Sequence, residues 1–329
     1  MSTPAEQVLF LSTAYWASRA LHVIAQSGVA DVLADEPRTA AAMAAEIGAD
    51  PLALHRLLRA LASHGIFELN NGYFSHNECS RLLRSDVKDS MRARAVMDGL
   101  PVHWNAYGAL GDSLRTGRPA VEGIIEEPNF FAYLGNHPDE ASIFAGAMAG
   151  KSISQIREVL AACDFSSFNT IGDIGGSTGH LLHAILDAYP AAAGMLFELP
   201  EIIAEARNNP HPRISYVAGS FFTDAIPPCD AYLLMMVLHD WSDEESITIL
   251  RNIRKNAPAN AKVLLVEGIV DESVKDNYIL DIDIEMMALT TGRERTEAEW
   301  TTVLEAAGFK LQRITRLAHW TGIIEAVST

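Results

Sequence analysis

The second half of the chain alternates short β-rich runs with helical segments. From about residue 168 onward the runs cover 170–174, 194–198, 214–217, 231–237 and 263–269. Strands that alternate with helices usually pair in parallel, with helices on both faces of the sheet. Two further runs, 310–317 and 321–327, have about three residues between them, too few for a helical crossover. The sequence therefore predicts a mostly parallel α/β sheet that ends in an antiparallel hairpin.

The N-terminal region has a different, mainly helical pattern. Apolar residues recur at helical spacing over residues 5–27, and Gly28 marks the end of that helix. They fall on more than one helix face, which favours burial against a partner subunit. Two shorter helix patterns follow, and the second leads into Asn70-Asn71-Gly72, a strong tight-hairpin motif. Helix, turn, helix and hairpin together predict a winged helix.

A chain of 329 residues is long enough for more than one domain. We expect residues 1–95 to form a helical, winged-helix domain that dimerises, and residues 166–329 to form the sheet domain. Residues 96–165 read as a helical inter-domain segment, with turn motifs such as Thr116-Gly117-Arg118-Pro119.

Charge and composition exclude several partners. The formal net charge of −17 repels nucleic acid and anionic lipid surfaces. Acidic and basic residues are equal in number across the winged-helix segment, which favours a structural scaffold over a DNA-binding element. The longest uninterrupted apolar run, 231–238, is far shorter than the roughly 18–20 residues of a membrane span. The scattered Cys79, Cys163 and Cys229 and the polar N-terminus predict a cytoplasmic protein.

The first strand-to-helix junction carries a glycine-rich loop. Gly175, Gly176 and Gly179 follow the run 170–174 and open a helix. A ligand can approach such a backbone closely because no β-carbon obstructs it. Asp173 precedes the glycines, and its carboxylate opposes a pyrophosphate but suits a cationic amino-acid ligand. A purely structural tight turn is the alternative interpretation.

Acidic residues and a histidine follow other strand ends. Glu198 ends the second run, where a carboxylate can accept hydrogen bonds from a ribose diol. His239 and Asp240 lie at the carboxyl edge after the fourth run. Glu267 closes the fifth run and Glu294 lies in a later loop, so both are candidate partners of His239.

Four segments in this order and spacing, DIGGSTG, FELP, VLHDWSDE and GRERT, carry a family resemblance. The chain resembles the caffeic-acid-type, plant and bacterial small-molecule O-methyltransferases over nearly its whole length. The resemblance implies a winged-helix dimerisation domain, a Rossmann-like methyltransferase domain and a homodimer. It also implies S-adenosylmethionine as cofactor, S-adenosylhomocysteine as product and a small hydroxylated, aromatic acceptor.

The resemblance assigns roles to individual residues. His239 matches the catalytic base, and Glu267 and Glu294 match the acidic residues that orient it. The cofactor site is expected to comprise Asp173, Gly175, Gly176, Gly179, Glu198, Leu199, Gly219, Ser220, Phe221, Met235 and Met236. The acceptor is expected to contact Trp104, Phe144, Met148, Asp240, Met286 and Met287, for which ordinary core packing is the alternative.

Three positions depart from the family pattern, and the first is Ser177, which stands where the family often has a third glycine. Ser220 stands where relatives have the aspartate that contacts the adenine end, and Met235 stands where many have a lysine. These departures are compatible with a weaker or altered affinity for the cofactor. Phe221 and Met236 could then bind the adenine by stacking and dispersion.

Other functions are compatible with parts of the sequence. A protein of the same fold could bind S-adenosylmethionine and catalyse hydroxylation, decarboxylation or a pericyclic step. A winged-helix regulator would need a basic surface, and a dehydrogenase would need the G-x-G-x-x-G spacing that is missing here. His180, His183 and Asp187 share a helix face, but they lie behind the cofactor loop, so no metal is expected.

Overall fold

The structure, a computed structural model, describes residues 3–274, 278–318 and 320–329, and the side chains of 149–154 lie outside this description. The chain divides into two compact units. The first comprises Met1–Gly108 and Ile124–Lys151, and the second comprises Ala109–Gly123 and Ser152–Thr329. The expected inter-domain segment, 96–165, is thus shared between both units.

The elements up to residue 162 are mainly helices. The helices are α1 (Pro4–Ser27), α2 (Val29–Leu33), α3 (Ala40–Ile47), α4 (Pro51–Ser63), α5 (Glu78–Arg81), α6 (Arg92–Asp98), α7 (Pro101–Gly108), α8 (Leu110–Thr116), α9 (Phe130–Asn136) and α10 (Pro138–Ala162). The strands are β1 (Arg38–Thr39), β2 (Phe67–Asn70) and β3 (Tyr73–His76). A 3-10 helix spans Ala120–Gly123.

The winged helix predicted from the sequence is present in the first unit. Strand β1 comes before helices α3 and α4, the β2–β3 hairpin follows them, and the three strands form an antiparallel sheet in the order β1-β3-β2. Asn71 and Gly72 both have positive φ, at 50° and 83°, as a tight hairpin turn requires. Apolar residues of α4 and of the hairpin form a common core; they are Leu54, Leu58, Leu61, Phe67 and Phe74.

Helix α1 has well-defined ends and an apolar exposed surface. Thr3 and Glu6 form a capping box at its start, and Gly28 ends it with φ 72°. Several large apolar side chains near its start are more than half exposed in the single chain; they are Val8, Leu9, Phe10, Leu11, Tyr15 and Trp16. By length and composition α1 could cross a membrane, although only 17% of its most apolar stretch is buried within the chain. Core helices of soluble proteins and signal sequences can have the same length and composition.

The second unit contains the α/β sheet. Its strands are β4 (Thr170–Ile174), β5 (Ala193–Glu198), β6 (Ile214–Ala218), β7 (Ala231–Met235), β8 (Lys262–Gly268), β9 (Phe309–Arg316) and β10 (Thr321–Ser328). The helices are α11 (His180–Ala188), α12 (Pro200–Ala206), α13 (Asp243–Asn256), α14 (Tyr278–Leu289) and α15 (Glu297–Ala306), and a 3-10 helix spans Leu238–Asp240.

These strands form a seven-stranded sheet in the order β6-β5-β4-β7-β8-β10-β9. Strands β4 to β8 are parallel, whereas β10 pairs antiparallel with both β8 and β9. This confirms the predicted parallel sheet and its terminal hairpin. Buried clusters cover both faces of the sheet, with Phe197, Tyr232 and Trp300 on one face and Leu181, Leu196 and Leu233 on the other. The carboxyl ends of the parallel strands consequently meet at one edge.

Candidate active site

The loop between β4 and α11 has the left-handed backbone that its glycines permit. Gly175, Ser177 and Gly179 have φ of 69°, 54° and 85°. Ser177 is the exception among them, since a residue with a β-carbon rarely adopts this conformation. Its N–H donates to Glu198 Oε1 at 3.1 Å, which ties the loop to the end of β5.

Asp173 lies beneath this loop as a buried acid. Both of its carboxylate oxygens lack a hydrogen-bond partner among the residues that the structure describes. A β-carbon on Gly176 would fall 2.2 Å from Asp173 Cγ, so only glycine fits there. Burial, together with the charge of Glu198, raises the pKa of Asp173 to about 7. An unpaired buried carboxylate beside a glycine cradle suits a cationic ligand group, and the site therefore fits the amino-acid end of S-adenosylmethionine.

Glu198 is held in place by backbone amides. Its Oε1 accepts from Ser177 N–H, and its Oε2 accepts from Leu199 N–H at 2.8 Å. Burial raises the pKa of Glu198, although these two bonds oppose the shift. A carboxylate has about four lone pairs, so it can still accept hydrogen bonds from a ribose diol.

The turn after β6 places a second carboxylate beside Ser220. The Ser220 N–H donates to Asp224 Oδ2 at 2.8 Å, and Ser220 Oγ accepts from Phe222 N–H at 3.3 Å. A β-carbon on Gly219 would fall 2.8 Å from Phe197 Cζ. Asp224 thus brings an acid to the turn where Ser220 replaces the family's aspartate. Asp224 could not be predicted from the motif, because it lies four residues after Ser220 and outside the motif.

Two further candidate cofactor residues end β7. Met235 is partly buried and packs against the apolar cluster on one sheet face. Met236 has φ 54°, an unusual conformation for a residue with a β-carbon, and its N–H donates to Val266 O at 2.9 Å. Phe221 packs edge-on against the Trp241 ring, with centroids 5.8 Å apart. The strand end therefore turns sharply just before His239.

His239 is buried and bonded to one carboxylate. It lies in the 3-10 helix Leu238–Asp240, and its Nδ1 is 2.8 Å from Glu294 Oε1. Since a carboxylate only accepts hydrogen bonds, Nδ1 carries the proton. The other ring nitrogen, Nε2, lies 3.6 Å from Asp240 Oδ1, which is beyond hydrogen-bond length. This arrangement gives Nε2 the lone pair of the neutral ring.

Surrounding carboxylates make His239 unusually basic. Burial opposes the imidazolium, but the charges of Asp240, Glu294 and Glu267 outweigh it and raise the pKa of His239 to about 10. Glu294 is itself fixed through its backbone, since its N–H donates to Asp283 Oδ1 at 2.8 Å. The unliganded His239 ring is therefore mostly protonated at neutral pH, and it can act as a base only in its neutral form, with the Nδ1 proton held by Glu294.

Glu267 accepts hydrogen bonds from the backbone before His239 and not from the His239 ring. Its Oε1 accepts from the N–H groups of Val237 and Leu238 at 3.0 and 2.8 Å. Burial raises the pKa of Glu267 to about 7, with the charge of His239 opposing the shift. Of the two candidate partners of the His239 ring, Glu294 makes the bond, and Glu267 holds the segment that leads to it.

The residues expected to contact the acceptor lie in both units. In the first, Trp104 packs against α1, with the Arg19 guanidinium 4.8 Å from its ring centroid. Phe144 meets Phe130 edge-on at 5.7 Å, and Met148 is partly buried on α10. In the second unit, Asp240 is partly buried, Met287 is exposed and Met286 is buried.

His183 and Asp187 on α11 both lie close to His211. His183 and His211 have ring centroids 5.3 Å apart, and His211 Nε2 lies 3.4 Å from Asp187 Oδ1. Across the described ranges, no group of three or more His, Cys, Asp or Glu side chains is arranged to hold a metal ion.

Comparison with known proteins gives two matching families. The O-methyltransferase domain model matches residues 107–310, and the O-methyltransferase dimerisation domain model matches residues 9–86. The dimerisation match includes most of α1, with its exposed apolar side chains.

Individual relatives match nearly the whole chain. Phenazine O-methyltransferase PhzM of Lysobacter antibioticus is 37% identical, over 97% of this chain and 95% of the relative. The 8-amino-8-demethylriboflavin N,N-dimethyltransferase of Streptomyces davaonensis is 34% identical, over 94% and 91%. The structure of CalO1, a methyltransferase of calicheamicin biosynthesis in its SAH-bound form, covers all of both chains with a TM-score of 0.84 and 30% identity. The chain therefore belongs to the small-molecule O-methyltransferase family, and it is an S-adenosylmethionine-dependent O-methyltransferase of the secondary-metabolite type.

Proposed function

We propose that this enzyme methylates a hydroxyl of a small aromatic molecule, with His239 as the general base. The observation that carries the proposal is the buried 2.8 Å bond between His239 Nδ1 and Glu294 Oε1. That bond fixes the tautomer, so the lone pair of Nε2 can take a proton from an acceptor.

The cofactor is held, in this proposal, by the residues at the carboxyl edge of the sheet. Asp173 receives the ammonium of the amino-acid end, and Glu198 receives the ribose diol. Backbone at Gly175, Gly176, Gly179, Leu199 and Gly219 lines the same edge, and Ser220, Phe221, Met235 and Met236 contact the adenine and methionine ends. When bound, S-adenosylmethionine supplies an electrophilic methyl group whose leaving group is neutral.

A base is needed because the acceptor hydroxyl keeps its proton at neutral pH. A phenol has a pKa of about 10, so little phenolate exists at neutral pH. With the pKa of His239 raised to about 10, only a small fraction of the ring is neutral at pH 7, and that fraction takes the acceptor's proton, so the rate should rise with pH. Glu294 stabilises the imidazolium that forms once the proton reaches Nε2. Glu267 keeps the Val237 and Leu238 amides in place while this happens.

The acceptor class is supported by the relatives and by the apolar character of the expected contacts. The name of the Lysobacter relative specifies a phenazine, which is a fused aromatic. We propose Trp104, Phe144, Met148, Met286 and Met287 as apolar contacts of such a ring, with Asp240 as a polar one. Each of these contacts can be tested by its own substitution.

An amine acceptor is a second candidate, because the Streptomyces davaonensis relative is an N,N-dimethyltransferase. An aromatic amine already has a lone pair and loses its proton only after it has been methylated. Loss of His239 would then slow transfer far less than it slows transfer to a phenol.

We also propose that the enzyme is a cytoplasmic homodimer. The dimerisation-domain match and the exposed apolar side chains of α1 support the dimer. Cys79, Cys163 and Cys229 are all free thiols, as is usual in a reducing compartment.

The test compares wild type with His239→Gln in two measurements. Calorimetry of S-adenosylmethionine and S-adenosylhomocysteine should give similar affinities for both proteins. Transfer of a labelled methyl group to a panel of phenols and hydroxyphenazines should fall by about 10²- to 10⁴-fold in the variant. His64→Gln, at an exposed histidine of the first unit, is the matched control. An undiminished rate in His239→Gln would rule out the general base.

A further inference from the structure

The segment that carries His239 has little structure of its own. It is one short 3-10 helix, Leu238–Asp240, and it follows the left-handed residue Met236. A 3-10 turn of this length leaves most of its carbonyl groups without partners inside the turn. The position of the His239 ring therefore depends on what neighbouring elements do to this backbone.

One buried arginine binds the carbonyl groups on both sides of His239. Arg295 is fully buried, and it donates from Nη1 to Leu238 O at 3.0 Å and from Nη2 to Trp241 O at 2.7 Å. Leu238 precedes His239, and Trp241 follows it after Asp240. The rigid, planar guanidinium reaches both carbonyls at once, which the single ammonium of a lysine does less well.

The charge of Arg295 is balanced from α13. Its Nε donates to Asp243 Oδ1 at 2.8 Å, and its guanidinium carbon lies 4.9 Å from the Trp300 ring centroid. Asp243 is the first residue of α13, where the helix dipole also favours an acid. Ser246, one turn further along α13, donates from Oγ to Leu238 O at 3.2 Å. The histidine segment is thus fixed between α13 and the loop before α15.

We propose that Arg295, held by Asp243, is a positioning residue that sets the direction of the His239 ring. Arg295 adjoins Glu294, so one short stretch of backbone supplies both the acid on Nδ1 and the guanidinium on the flanking carbonyls. In the described part of the chain, Arg295 bonds backbone and side chains of this unit and makes no hydrogen bond to the imidazole. The inference rests on His239 being the general base.

The neighbouring Arg293 provides a matched control. It also binds Asp243, from Nη2 to Oδ2 at 2.9 Å, and it pairs with Glu299. Among the residues that the structure describes, Arg293 makes no hydrogen bond to the carbonyls of Leu238 or Trp241. A substitution of Arg293 therefore disturbs the same acid without releasing the histidine segment directly.

The first experiment follows the His239 ring by NMR in protein labelled with ¹⁵N-histidine and saturated with S-adenosylhomocysteine. His239→Gln identifies the signal. We expect Arg295→Lys to lower the pKa of His239 by about one unit or more, since a loosened ring loses part of its contact with Glu294. Asp243→Asn should shift the titration in the same direction by less, and Arg293→Lys should leave it as in wild type.

The second experiment measures turnover and cofactor affinity in the same variants. Arg295→Lys should lower kcat by about tenfold or more, with KM for the acceptor and the affinity for S-adenosylhomocysteine close to wild type. Arg293→Lys should keep its kcat. Asp243→Asn provides a milder variant should Arg295→Lys unfold, because the Asp243 side chain is partly exposed.

Two results would overturn the inference. One is a His239 titration in Arg295→Lys and Asp243→Asn that coincides with wild type. The other is an equal loss of thermal stability, cofactor affinity and kcat in Arg295→Lys, which would mark a general structural role. If the titration shifts while His239→Gln transfers methyl groups normally, the positioning stands and the general base fails, so the two proposals are separable.

Discussion

Gly292 lies against the main chain of His239, and a β-carbon on Gly292 would fall 1.9 Å from the His239 carbonyl oxygen. The same β-carbon would lie 2.4 Å from Asp240 C and 2.5 Å from Trp241 N. The loop that holds Glu294 and the segment that holds His239 therefore touch backbone to backbone. Their contact sets the distance between the acid and the base, and no flexible side chain can yield to widen it.

Gly292→Ala should separate the two loops. The added carbon meets backbone atoms, so the loops must move apart by a distance comparable to the overlap. A displacement of about 1 Å in such a site can lower the rate by about 10²-fold. Steady-state kinetics and thermal unfolding measure the two effects, and both activity and stability should fall.

Gly135→Ala is the matched control for this prediction. A β-carbon on Gly135 meets nothing within 4 Å, and Gly135 lies in α9. Alanine in a helix stabilises by about 0.5–1 kcal/mol relative to glycine, so this variant should be at least as stable as wild type. Full activity in Gly292→Ala would show that the loops can separate without harm.

The affinity for S-adenosylmethionine should rise between pH 6 and pH 8. The pKa of unliganded Asp173 is raised to about 7, and the ammonium of the ligand binds its ionised form. Only about a tenth of Asp173 is ionised one unit below that pKa, so the affinity at pH 6 should be about tenfold lower than at pH 8. Calorimetry across this range measures the slope. Above about pH 8 the ligand's own amino group loses its proton and the trend ends.

Asp173→Asn removes the carboxylate to which we assign the pH dependence of cofactor affinity. The affinity at pH 8 should fall by about 10- to 100-fold, and the pH slope should flatten. Asp164→Asn, at an exposed loop aspartate, should keep both the affinity and the slope. An unchanged slope in Asp173→Asn would assign the pH dependence to another group.

Glu294→Gln should move the pH–rate profile to lower pH. Glu294 is one of the carboxylates that raise the pKa of His239 to about 10, and kcat rises with pH as His239 loses its proton. With one negative charge removed, the pKa of His239 falls, so the rising limb appears about one unit or more lower. The maximal rate should also fall, because the ring is a weaker base.

The measurement for Glu294→Gln is kcat from pH 6 to pH 11 at saturating cofactor. Glu297→Gln, at the exposed first residue of α15, should reproduce the wild-type profile. If kcat of Glu294→Gln rises over the same pH range as kcat of wild type, the titrating group belongs to the acceptor and not to His239.

Trp16→Glu should convert the dimer to a monomer. Trp16 is 64% exposed in the single chain, on the apolar face of α1. A charge buried at the centre of a subunit interface, without a partner, costs several kcal/mol. Sedimentation velocity measures the mass, with Leu52→Glu as a control at an equally exposed leucine of α4. A dimeric Trp16→Glu protein would place the interface elsewhere.

Much of the fold could be predicted because each strand and helix has a local pattern. The alternation after residue 168 gives the parallel strands, and the short gap before 321–327 gives the hairpin. The order of the hairpin strands could not be predicted, since either one could have paired with β8. The register that sets Gly322 opposite Glu267 depends on packing that no local pattern encodes.

Some residues of the site could be predicted from the sequence and others could not, because the roles of the latter depend on tertiary packing. His239 and Glu294 follow from strand ends and from the family motif. The role of Glu267 does not, because the direction of a carboxylate at a strand end depends on the neighbouring backbone. Arg295 was missed since an arginine in a polar loop is usually solvent-exposed, and its complete burial follows from tertiary packing. The signal was available in the GRERT motif, where Arg295 adjoins Glu294.

The position of β10 between β8 and β9 has a consequence for how the enzyme is made. During synthesis, residues 321–328 leave the ribosome after every other strand of the sheet, and until then the outer edge of β8 has no partner. Glu267 lies on that edge strand, so the backbone that presents the base is the last part to be secured. We therefore expect a chain that lacks residues 321–328 to form its glycine-rich loop but to lose the fixed position of Glu267, and with it the efficient removal of the acceptor's proton.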